Sequence, residues 1–312
     1  MNNPGSQHLL DIDSLNPDQL NSLIQQSLDV AAEPQEFANR LAGRVLINLF
    51  LEPSTRTRIS FELAAKRLGM HVINFHTGTS SSVKGEALID TFHTLQAMQP
   101  EFVVIRHAED GAVAALATEA DEGIHIINAG DGCCHHPTQA LLDAFTMRQH
   151  KQSLEGLKVA IVGDITHSRV ARSNVWLLTT MGASVTLCGP ATMMPPGIER
   201  LGARVEHRME QALEGVDVIM MLRIQRERQS RLALPSLREY ANLYGLNRQR
   251  LELAHPEALI MHPGPINRGV EIADDVADHP RSVILEQVAN GVAIRMAVLY
   301  LLARNWDARE SN

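Results

Sequence analysis

The chain has 312 residues, of which 45% are hydrophobic and 21% are charged, which is the composition of a globular protein with room for two domains. An aromatic content of 4% and a formal net charge of -8 argue against a nucleic-acid partner, because such partners favour aromatic stacking and positive surfaces. These values fit a small anionic ligand bound in a locally basic pocket.

The cysteines and the apolar runs indicate where the protein resides. Cys133, Cys134 and Cys188 do not form a disulfide framework, and the simplest interpretation is reduced thiols. The first residues lack a signal-peptide pattern, and the apolar region Val288–Leu302 is interrupted by an asparagine and an arginine. We therefore expect a cytoplasmic protein that does not associate with a membrane.

Strand-like and helical patterns alternate along the chain. The apolar runs are Val45–Leu51, His71–Phe75, Phe102–Ile105, Ile124–Asn128, Val159–Val162, Val185–Cys188, Val216–Leu222 and Leu259–Met261. Helical patterns between them include Gly85–Met98, Ala112–Ala120, Pro137–Gln149, Arg169–Met181 and Glu286–Arg304. Continuous apolar strands that alternate with helices predict an α/β fold with parallel sheets flanked by helices.

The pattern loosens once, in the polar stretch His150–Leu157, before a new strand begins. Such a stretch is typical of a domain boundary. We predict a first domain over residues 1–150, a second over residues 151–285, and a C-terminal helix over residues 286–312 that packs back on the first domain.

The first apolar run leads into a loop of hydroxyls and arginines, Glu52-Pro-Ser-Thr-Arg-Thr-Arg58, followed by a helical pattern. Free backbone N–H groups at a helix N-terminus favour an anion, and hydroxyls and guanidiniums add directed donors. The loop therefore predicts a phosphate site. The alternative is that Ser54 or Thr55 merely caps the helix while both arginines are solvated.

A second polar loop, Thr77–Glu86, contains three consecutive serines and Lys84 and precedes a helix. Its composition is typical of a mobile anion-binding flap. The alternative is a solvated loop whose lysine has no function.

Polar residues also follow most of the other predicted strands. They are Arg106, His136-Pro-Thr-Gln139, Arg169, Arg223 with Gln225, and His262-Pro-Gly-Pro265. Because ligands of open α/β sheets bind beyond the carboxyl ends of the strands, these positions predict one convergent site.

Two other chemistries deserve comparison. Cys133-Cys-His-His136 offers four zinc-type ligands, but contiguous residues rarely close a tetrahedron. Gly163-Asp164 follows a strand without the spacing of a dinucleotide-binding turn. We interpret His167, His207 and His262 as structural or surface residues, and we predict neither a metal nor an organic cofactor.

Together these motifs resemble those of the aspartate carbamoyltransferase family. The segments Ser54-Thr-Arg-Thr-Arg58 and His136-Pro-Thr-Gln139 are typical of carbamoyltransferases in general. The loop that ends in Val83-Lys-Gly-Glu86, together with Arg223-Ile-Gln225 and His262-Pro-Gly-Pro265, is typical of the aspartate branch.

The nearest alternative is ornithine carbamoyltransferase, which typically has a His-Cys-Leu-Pro motif near its C-terminus. Here the corresponding residues are His262-Pro-Gly-Pro265, with no cysteine. The cations Lys84, Arg169 and Arg223 would attract a dicarboxylate and repel the ornithine side chain. A second alternative is a non-catalytic paralogue that acts as an assembly partner.

The resemblance implies a role for each matching residue. Carbamoyl phosphate would be bound by Ser54, Thr55, Arg56, Thr57, Ser80, Arg106, His136, Gln139, Gly264 and Pro265, with help from Lys84. L-Aspartate would be bound by Lys84, Arg169, Arg223 and Gln225. The residues implied to be catalytic are Arg56, Thr57, Arg106 and His136, and no metal, cofactor or protein nucleophile is required.

The resemblance also implies an activity and an assembly. The expected reaction transfers the carbamoyl group to the α-amine of aspartate, the committed step of de novo pyrimidine (UMP) biosynthesis, in a cleft between the two domains. We expect a homotrimer with shared active sites, because the flap of one family chain reaches into its neighbour's site. Some family members join regulatory or dihydroorotase-like chains, and the sequence does not decide between these assemblies.

Overall fold

The computed structural model describes residues 7–75, 87–224 and 236–310, with side chains described to residue 308. Two units are distinguished by their internal contacts. Unit 1 comprises Met1–Leu142 and Asn290–Asn312, and unit 2 comprises Asp143–Ala289.

Unit 1 is built on a parallel sheet that, among the described residues, has four strands in the order β2-β1-β3-β4. These strands are β1 (Val45–Phe50), β2 (His71–Phe75), β3 (Phe102–His107) and β4 (His125–Asp131). Its helices are α1 (Pro17–Ala32), α2 (Thr55–Arg67), α3 (Leu88–Gln96), α4 (Ala112–Ala117), the start of α5 (Pro137–Lys151) and most of α11 (Ile284–Glu310).

The central strands β1 and β3 of unit 1 are largely buried, as expected where both faces of a parallel sheet are covered. Successive residues of β1, such as Leu46 and Ile47, are both buried. In the register, Ile47 lies beside Val103 of β3, and Ile105 lies beside Asn128 of β4. The carboxyl ends of β1, β3 and β4 therefore lie along one edge, where the segments that follow them begin.

Unit 2 contains a second parallel sheet, whose described strands have the order β7-β6-β5-β8-β9. They are β5 (Lys158–Val162), β6 (Ser184–Cys188), β7 (Arg204–Glu206), β8 (Val218–Met221) and β9 (Leu259–Met261). The helices are α6 (Arg169–Thr180), α7 (Met209–Leu213), α8 (Leu237–Tyr244), α9 (Arg248–Leu251) and α10 (Asp274–Ala277).

The predicted fold class is confirmed, since both sheets are parallel and flanked by helices. The prediction did not include β7, which has only three residues, begins with exposed Arg204 and is the outermost strand of its sheet. The predicted domain boundary at residue 150 and the separate C-terminal segment from residue 286 stay predictions. The unit border after Leu142 lies inside α5, where no change in composition marks it.

Helix α11 is the longest described helix. Its segment Ile284–Ala308 is long and apolar enough to cross a membrane by length and composition, although the sequence had suggested no such stretch. However, 61% of its most apolar window is buried inside the protein, as in the core helix of a globular domain.

Candidate active site

The loop after β1 leads directly into α2, with Ser54 at the N-cap position. Within this described segment, the Ser54 side chain makes no capping hydrogen bond to the first turn. Thr55 and Arg56 are exposed, whereas Thr57 is buried. The structure therefore does not show Ser54 acting as a helix cap. The first turn of α2 presents hydroxyl groups beside its N–H groups.

Arg106 lies at the carboxyl end of β3 and is oriented by its two neighbouring strands. Its Nη1 donates to the carbonyl oxygen of Ala129 in β4 at 3.0 Å. Its Nε lies 3.0 Å from Oε2 of Glu52, which follows β1. The guanidinium is thus held across the edge of the sheet, close to the loop that precedes α2. Glu52 belongs to the loop motif, but the sequence did not identify it as a partner of Arg106.

His136 directly precedes α5 and is almost completely buried. Its carbonyl oxygen accepts hydrogen bonds from the N–H groups of Gln139 and Ala140, at 3.0 and 3.3 Å. Pro137 occupies the first helical position, where its missing N–H has no cost. His136 therefore lies directly before a well-formed helix N-terminus, at the same end of the sheet as Arg106.

Buried Asp131 shapes the turn that leads to His136. Its Oδ1 accepts hydrogen bonds from the side chain of Asn128 and the N–H of His135, both at 3.1 Å. Its Oδ2 accepts from the N–H of Gly111 at 3.1 Å. The sequence did not identify this carboxylate, because an isolated aspartate in an apolar strand carries no motif of its own.

Arg295 of α11 is also buried, although the sequence suggested only that it interrupts an apolar stretch. Its Nη2 donates to Oγ1 of Thr138 at 3.3 Å, and its guanidinium lies 4.9 Å from the ring centroid of Phe61. The residue therefore connects α11 to the N-terminal half of α5 and to α2, the helix of the candidate phosphate loop.

In unit 2, Arg169 is the first residue of α6 and is only 4% exposed. Ser168 caps this helix by accepting a hydrogen bond from the N–H of Ala171 at 3.1 Å. In the preceding loop, Nδ1 of His167 lies 2.9 Å from the buried carboxylate of Asp164. His167 is therefore part of the structure of this loop, as the sequence suggested.

Arg223 follows β8 and lies at the same sheet edge as the loop before α6, because β8 pairs with β5. The N–H of Leu222 donates to the carbonyl oxygen of Val162 at 2.8 Å, which extends this pairing to the ends of both strands. The geometry therefore places the segments that carry Arg169 and Arg223 at neighbouring strand ends of unit 2.

The loop after β9 contains Gly264 and Pro265, which are joined by a cis peptide bond. Gly264 has a φ of 69°, a left-handed conformation that favours glycine. Its N–H donates to Nδ1 of His262 at 2.8 Å, and Nε2 of His262 lies 3.2 Å from Oε1 of Glu271. His262 is thus a buried structural residue, as expected, and it shapes the turn from inside.

Three predicted site residues, Ser80, Lys84 and Gln225, lie outside the described residues. Unit 1 brings Ser54, Thr55, Arg56, Thr57, Arg106, His136 and Gln139 to one sheet edge, and unit 2 does the same for Arg169, Arg223, Gly264 and Pro265. Among residues 7–75, 87–224 and 236–310, no group of three or more histidines, cysteines and carboxylates could hold a metal ion.

Two family models match the chain in succession. The carbamoyl-phosphate-binding domain of aspartate/ornithine carbamoyltransferases matches residues 7–149. The aspartate/ornithine-binding domain of the same family matches residues 155–302. The order of the two models corresponds to the order of the two sheets.

Individual proteins show the same similarity over nearly their whole length. The aspartate carbamoyltransferase catalytic subunit of Sorangium cellulosum is 57% identical over 299 residues, which cover 95% of this chain and 92% of that protein. The aspartate transcarbamoylase of Trypanosoma cruzi in complex with N-(phosphonacetyl)-L-aspartic acid has a TM-score of 0.85 at 31% identity, covering 94% of each chain. The ornithine carbamoyltransferase of Pyrococcus furiosus reaches the same TM-score at 27% identity, covering 94% of this chain and 96% of the other.

Proposed function

This chain belongs to the aspartate/ornithine carbamoyltransferase family, and on that basis we propose that it transfers the carbamoyl group of carbamoyl phosphate to the α-amine of L-aspartate. The products are N-carbamoyl-L-aspartate and phosphate. The chain is an enzyme, a carbamoyltransferase, and this reaction is the committed step of de novo pyrimidine biosynthesis.

One observation favours aspartate over ornithine in particular. In unit 2 the segments that carry Arg169 and Arg223 follow neighbouring strands, and Arg169 is buried at the start of a capped helix. A fixed, desolvated cation fits a carboxylate and repels an ammonium group. The fold alone does not make this distinction, because relatives of both branches share it.

The phosphate of the first substrate would be bound at the N-terminus of α2 and by Arg106. Ser54, Thr55 and Thr57 supply hydroxyl and backbone donors, while Arg56 supplies an exposed guanidinium. We further assign Ser80 and Lys84 to this anion, although they lie outside the described residues.

The carbonyl group of carbamoyl phosphate would be polarised by Thr57, Arg106 and His136. Donors that are already fixed at the position of a developing oxyanion are typically worth about 3–4 kcal/mol each. The burial of His136 and the two partners of Arg106 provide such fixation. The amide group of the substrate would contact Gln139 and the backbone of Gly264 and Pro265.

Aspartate would then be bound by Arg169 and Arg223, with Lys84 and Gln225. Its neutral α-amine attacks the carbonyl carbon and forms the new C–N bond. The tetrahedral intermediate breaks the bond to the phosphate oxygen, and the departing phosphate accepts the proton of the amine. Orientation of the two substrates can contribute about 7–11 kcal/mol, so neither a protein nucleophile nor a cofactor is required.

We also propose that the chain forms a cytoplasmic homotrimer in which Ser80 and Lys84 complete a neighbour's site. Unit 1 exposes three apolar side chains on α2 and the edge strand β2, namely Ile59, Leu63 and Ile73, which are 42–53% exposed. Ile59 and Leu63 lie one turn apart on the same face of α2, and an exposed apolar face fits a contact with another chain. Mixing inactive Arg56→Ala and Lys84→Ala chains should restore activity, whereas no recovery in mixed oligomers would contradict shared sites.

The purified chain itself tests the reaction. We expect carbamoyl phosphate with L-aspartate to yield phosphate and N-carbamoyl-L-aspartate in equal amounts, and carbamoyl phosphate with L-ornithine to yield no citrulline. Citrulline formation at a comparable rate would identify the ornithine branch. Absence of product with both amino acids would favour the non-catalytic paralogue.

A further inference from the structure

Unit 2 contains a buried carboxylate to which the proposed reaction gives no role. Asp143 lies on α5 and has no exposed surface. Its Oδ1 accepts a hydrogen bond from Nε2 of Gln287 on α11 at 2.6 Å. Its Oδ2 accepts from Nδ2 of Asn174 on α6 at 2.8 Å. One carboxylate therefore joins residues of three helices within unit 2.

One series of hydrogen bonds, which we call the first arm, connects Asp143 to the turn after β9. The side-chain amide of Gln287 donates to Asp143, and its Oε1 accepts a hydrogen bond from the N–H of His262 at 3.0 Å. His262 is the first residue after β9, and its ring accepts from the N–H of Gly264 at 2.8 Å. A series of hydrogen bonds thus runs from Asp143 to the turn that contains Gly264 and Pro265.

The orientation of the Gln287 amide in this series is fixed by its partners. Its NH₂ group must face the carboxylate, because the opposite end faces a backbone N–H that can only donate. Gln287 is itself buried, so a reversed amide would place two donors face to face without water to separate them.

The second arm leads to the first turn of α6. Nδ2 of Asn174 donates both to Asp143 and to the carbonyl oxygen of Val170, at 2.8 and 3.0 Å. Val170 directly follows Arg169, the buried guanidinium at the start of the helix. The same carboxylate therefore constrains the backbone beside Arg169.

We propose that Asp143, Gln287 and Asn174 are positioning residues for the carbamoyl transfer reaction. Through Gln287 the carboxylate positions the turn that meets carbamoyl phosphate, and through Asn174 it positions the helix start that meets aspartate. This inference rests on the proposed function, since the two segments matter to catalysis only if they bind these substrates. A displacement of about 1 Å in such a segment can lower a rate by about 100-fold.

The two arms make different kinetic predictions, which separates positioning from simple stabilisation. We expect Gln287→Met to lower kcat and raise the KM for carbamoyl phosphate, by about 10- to 100-fold in kcat/KM. We expect Asn174→Leu to raise the KM for aspartate more than the KM for carbamoyl phosphate. Both KM values should be measured for each variant at a temperature where circular dichroism shows a folded chain.

The matched control is Gln96→Met in unit 1. Gln96 is also a buried helix residue, and its Oε1 accepts a hydrogen bond from the N–H of Asp121 at 3.0 Å. This contact precedes β4, at the end of the sheet opposite the candidate site. Gln96→Met should lower the denaturation temperature and leave both KM values within about twofold of wild type.

A rescue experiment covers the case in which the single variants fold poorly. Asp143→Asn alone can place an amide NH₂ group against the NH₂ group of Gln287. Adding Gln287→Glu restores complementary groups and leaves the net charge unchanged. The new carboxylate at position 287 can accept both from the amide introduced at position 143 and from the N–H of His262.

We expect the double variant to recover kcat/KM to within about threefold of wild type, while Asp143→Asn loses at least about tenfold. Wild-type KM values in folded Gln287→Met, or a double variant no better than Asp143→Asn, would overturn the positioning role. An inactive wild-type chain would instead contradict the proposed function, so the two failures are distinguishable.

Discussion

The N-termini of α2 and α6 have similar sequences, but they differ in the hydrogen bonding of the N-cap serine and in the burial of the arginine. Each follows a parallel strand, and each has a serine at the N-cap and an arginine in the first turn. In α6 the Ser168 hydroxyl caps the helix and Arg169 is buried. In α2 the Ser54 side chain makes no capping hydrogen bond within the described part of the chain, and Arg56 is exposed.

We interpret this difference as suiting the two helix N-termini to two different anions. The first turn of α2 combines helix N–H groups with a Ser54 hydroxyl that does not cap them, which suits the several oxygens of a phosphate. In the first turn of α6, the N–H of Ala171 already donates to the Ser168 hydroxyl, and the Arg169 side chain is buried. This arrangement suits a single carboxylate. We therefore interpret α2 as the start of a phosphate site and α6 as part of an amino-acid site.

The largest effect is expected from Arg106→Ala, which removes a group assigned to both the phosphate and the oxyanion. Turnover should fall by about 10³-fold or more, because a single oxyanion donor alone accounts for about 10²- to 10³-fold. The variant should remain folded, since the contacts of Arg106 with Ala129 and Glu52 lie at the edge of the sheet. Steady-state assays with circular dichroism check both parts, and wild-type kcat would remove Arg106 from the site.

A smaller loss is expected from His136→Ala, by about 10²-fold in kcat. The KM for carbamoyl phosphate should change much less, because an oxyanion donor acts mainly in the transition state. Initial rates at saturating aspartate give both constants. A rise in KM with unchanged kcat would assign His136 to ground-state binding.

The pair Ser54→Ala and Ser168→Ala tests the helix comparison directly. Loss of the cap in Ser168→Ala should cost about 1 kcal/mol in the free energy of unfolding. Ser54→Ala should leave that free energy nearly unchanged and weaken carbamoyl phosphate binding, by about tenfold for one lost hydrogen bond to an anion. Denaturant titrations and binding measurements on both variants suffice, and equal stability losses would contradict the assignment of the two hydroxyls.

The smallest effect concerns acid stability of unit 1. Burial, with a minor contribution from His125, lowers the pKa of His8 from 6.5 to about 4. The unfolded chain therefore takes up this proton first, so the stabilisation is fully present above pH 6.5 and is lost as the pH falls toward 4. Denaturant unfolding at about pH 7.5 and about pH 5.5, on either side of the unfolded pKa, should show a smaller loss in His8→Gln than in wild type. An equal loss in both chains would exclude His8 as a source of acid sensitivity.

The sequence predicted the fold class because its strands are continuous apolar runs and its helices lie between them. It also predicted which described residues follow β1, β4, β5 and β8, since these depend only on chain order. It placed Arg106 directly after the third strand, whereas β3 extends to His107 and includes Arg106. The roles of the individual site residues stay predictions, including those of Ser80, Lys84 and Gln225 outside the described residues.

The supporting residues could not be predicted in the same way. Asp143 and Gln287 are 144 positions apart, and Arg295 and Thr138 are 157 apart. No local pattern marks such pairs, because the contacts form only when helices from distant parts of the chain pack together. An isolated polar residue in an apolar helical stretch, such as Arg295, is the one signal that could have suggested them.

The central claim is that residues of unit 1 bind the phosphate of carbamoyl phosphate while the arginines of unit 2 bind aspartate. The most direct test is the dissociation constant of carbamoyl phosphate, measured by calorimetry for wild type, Arg56→Ala and Arg223→Ala. We predict about 100-fold weaker binding in Arg56→Ala and a change of less than about threefold in Arg223→Ala. Wild-type affinity in Arg56→Ala, or an equal loss in both variants, would contradict this division of the substrates.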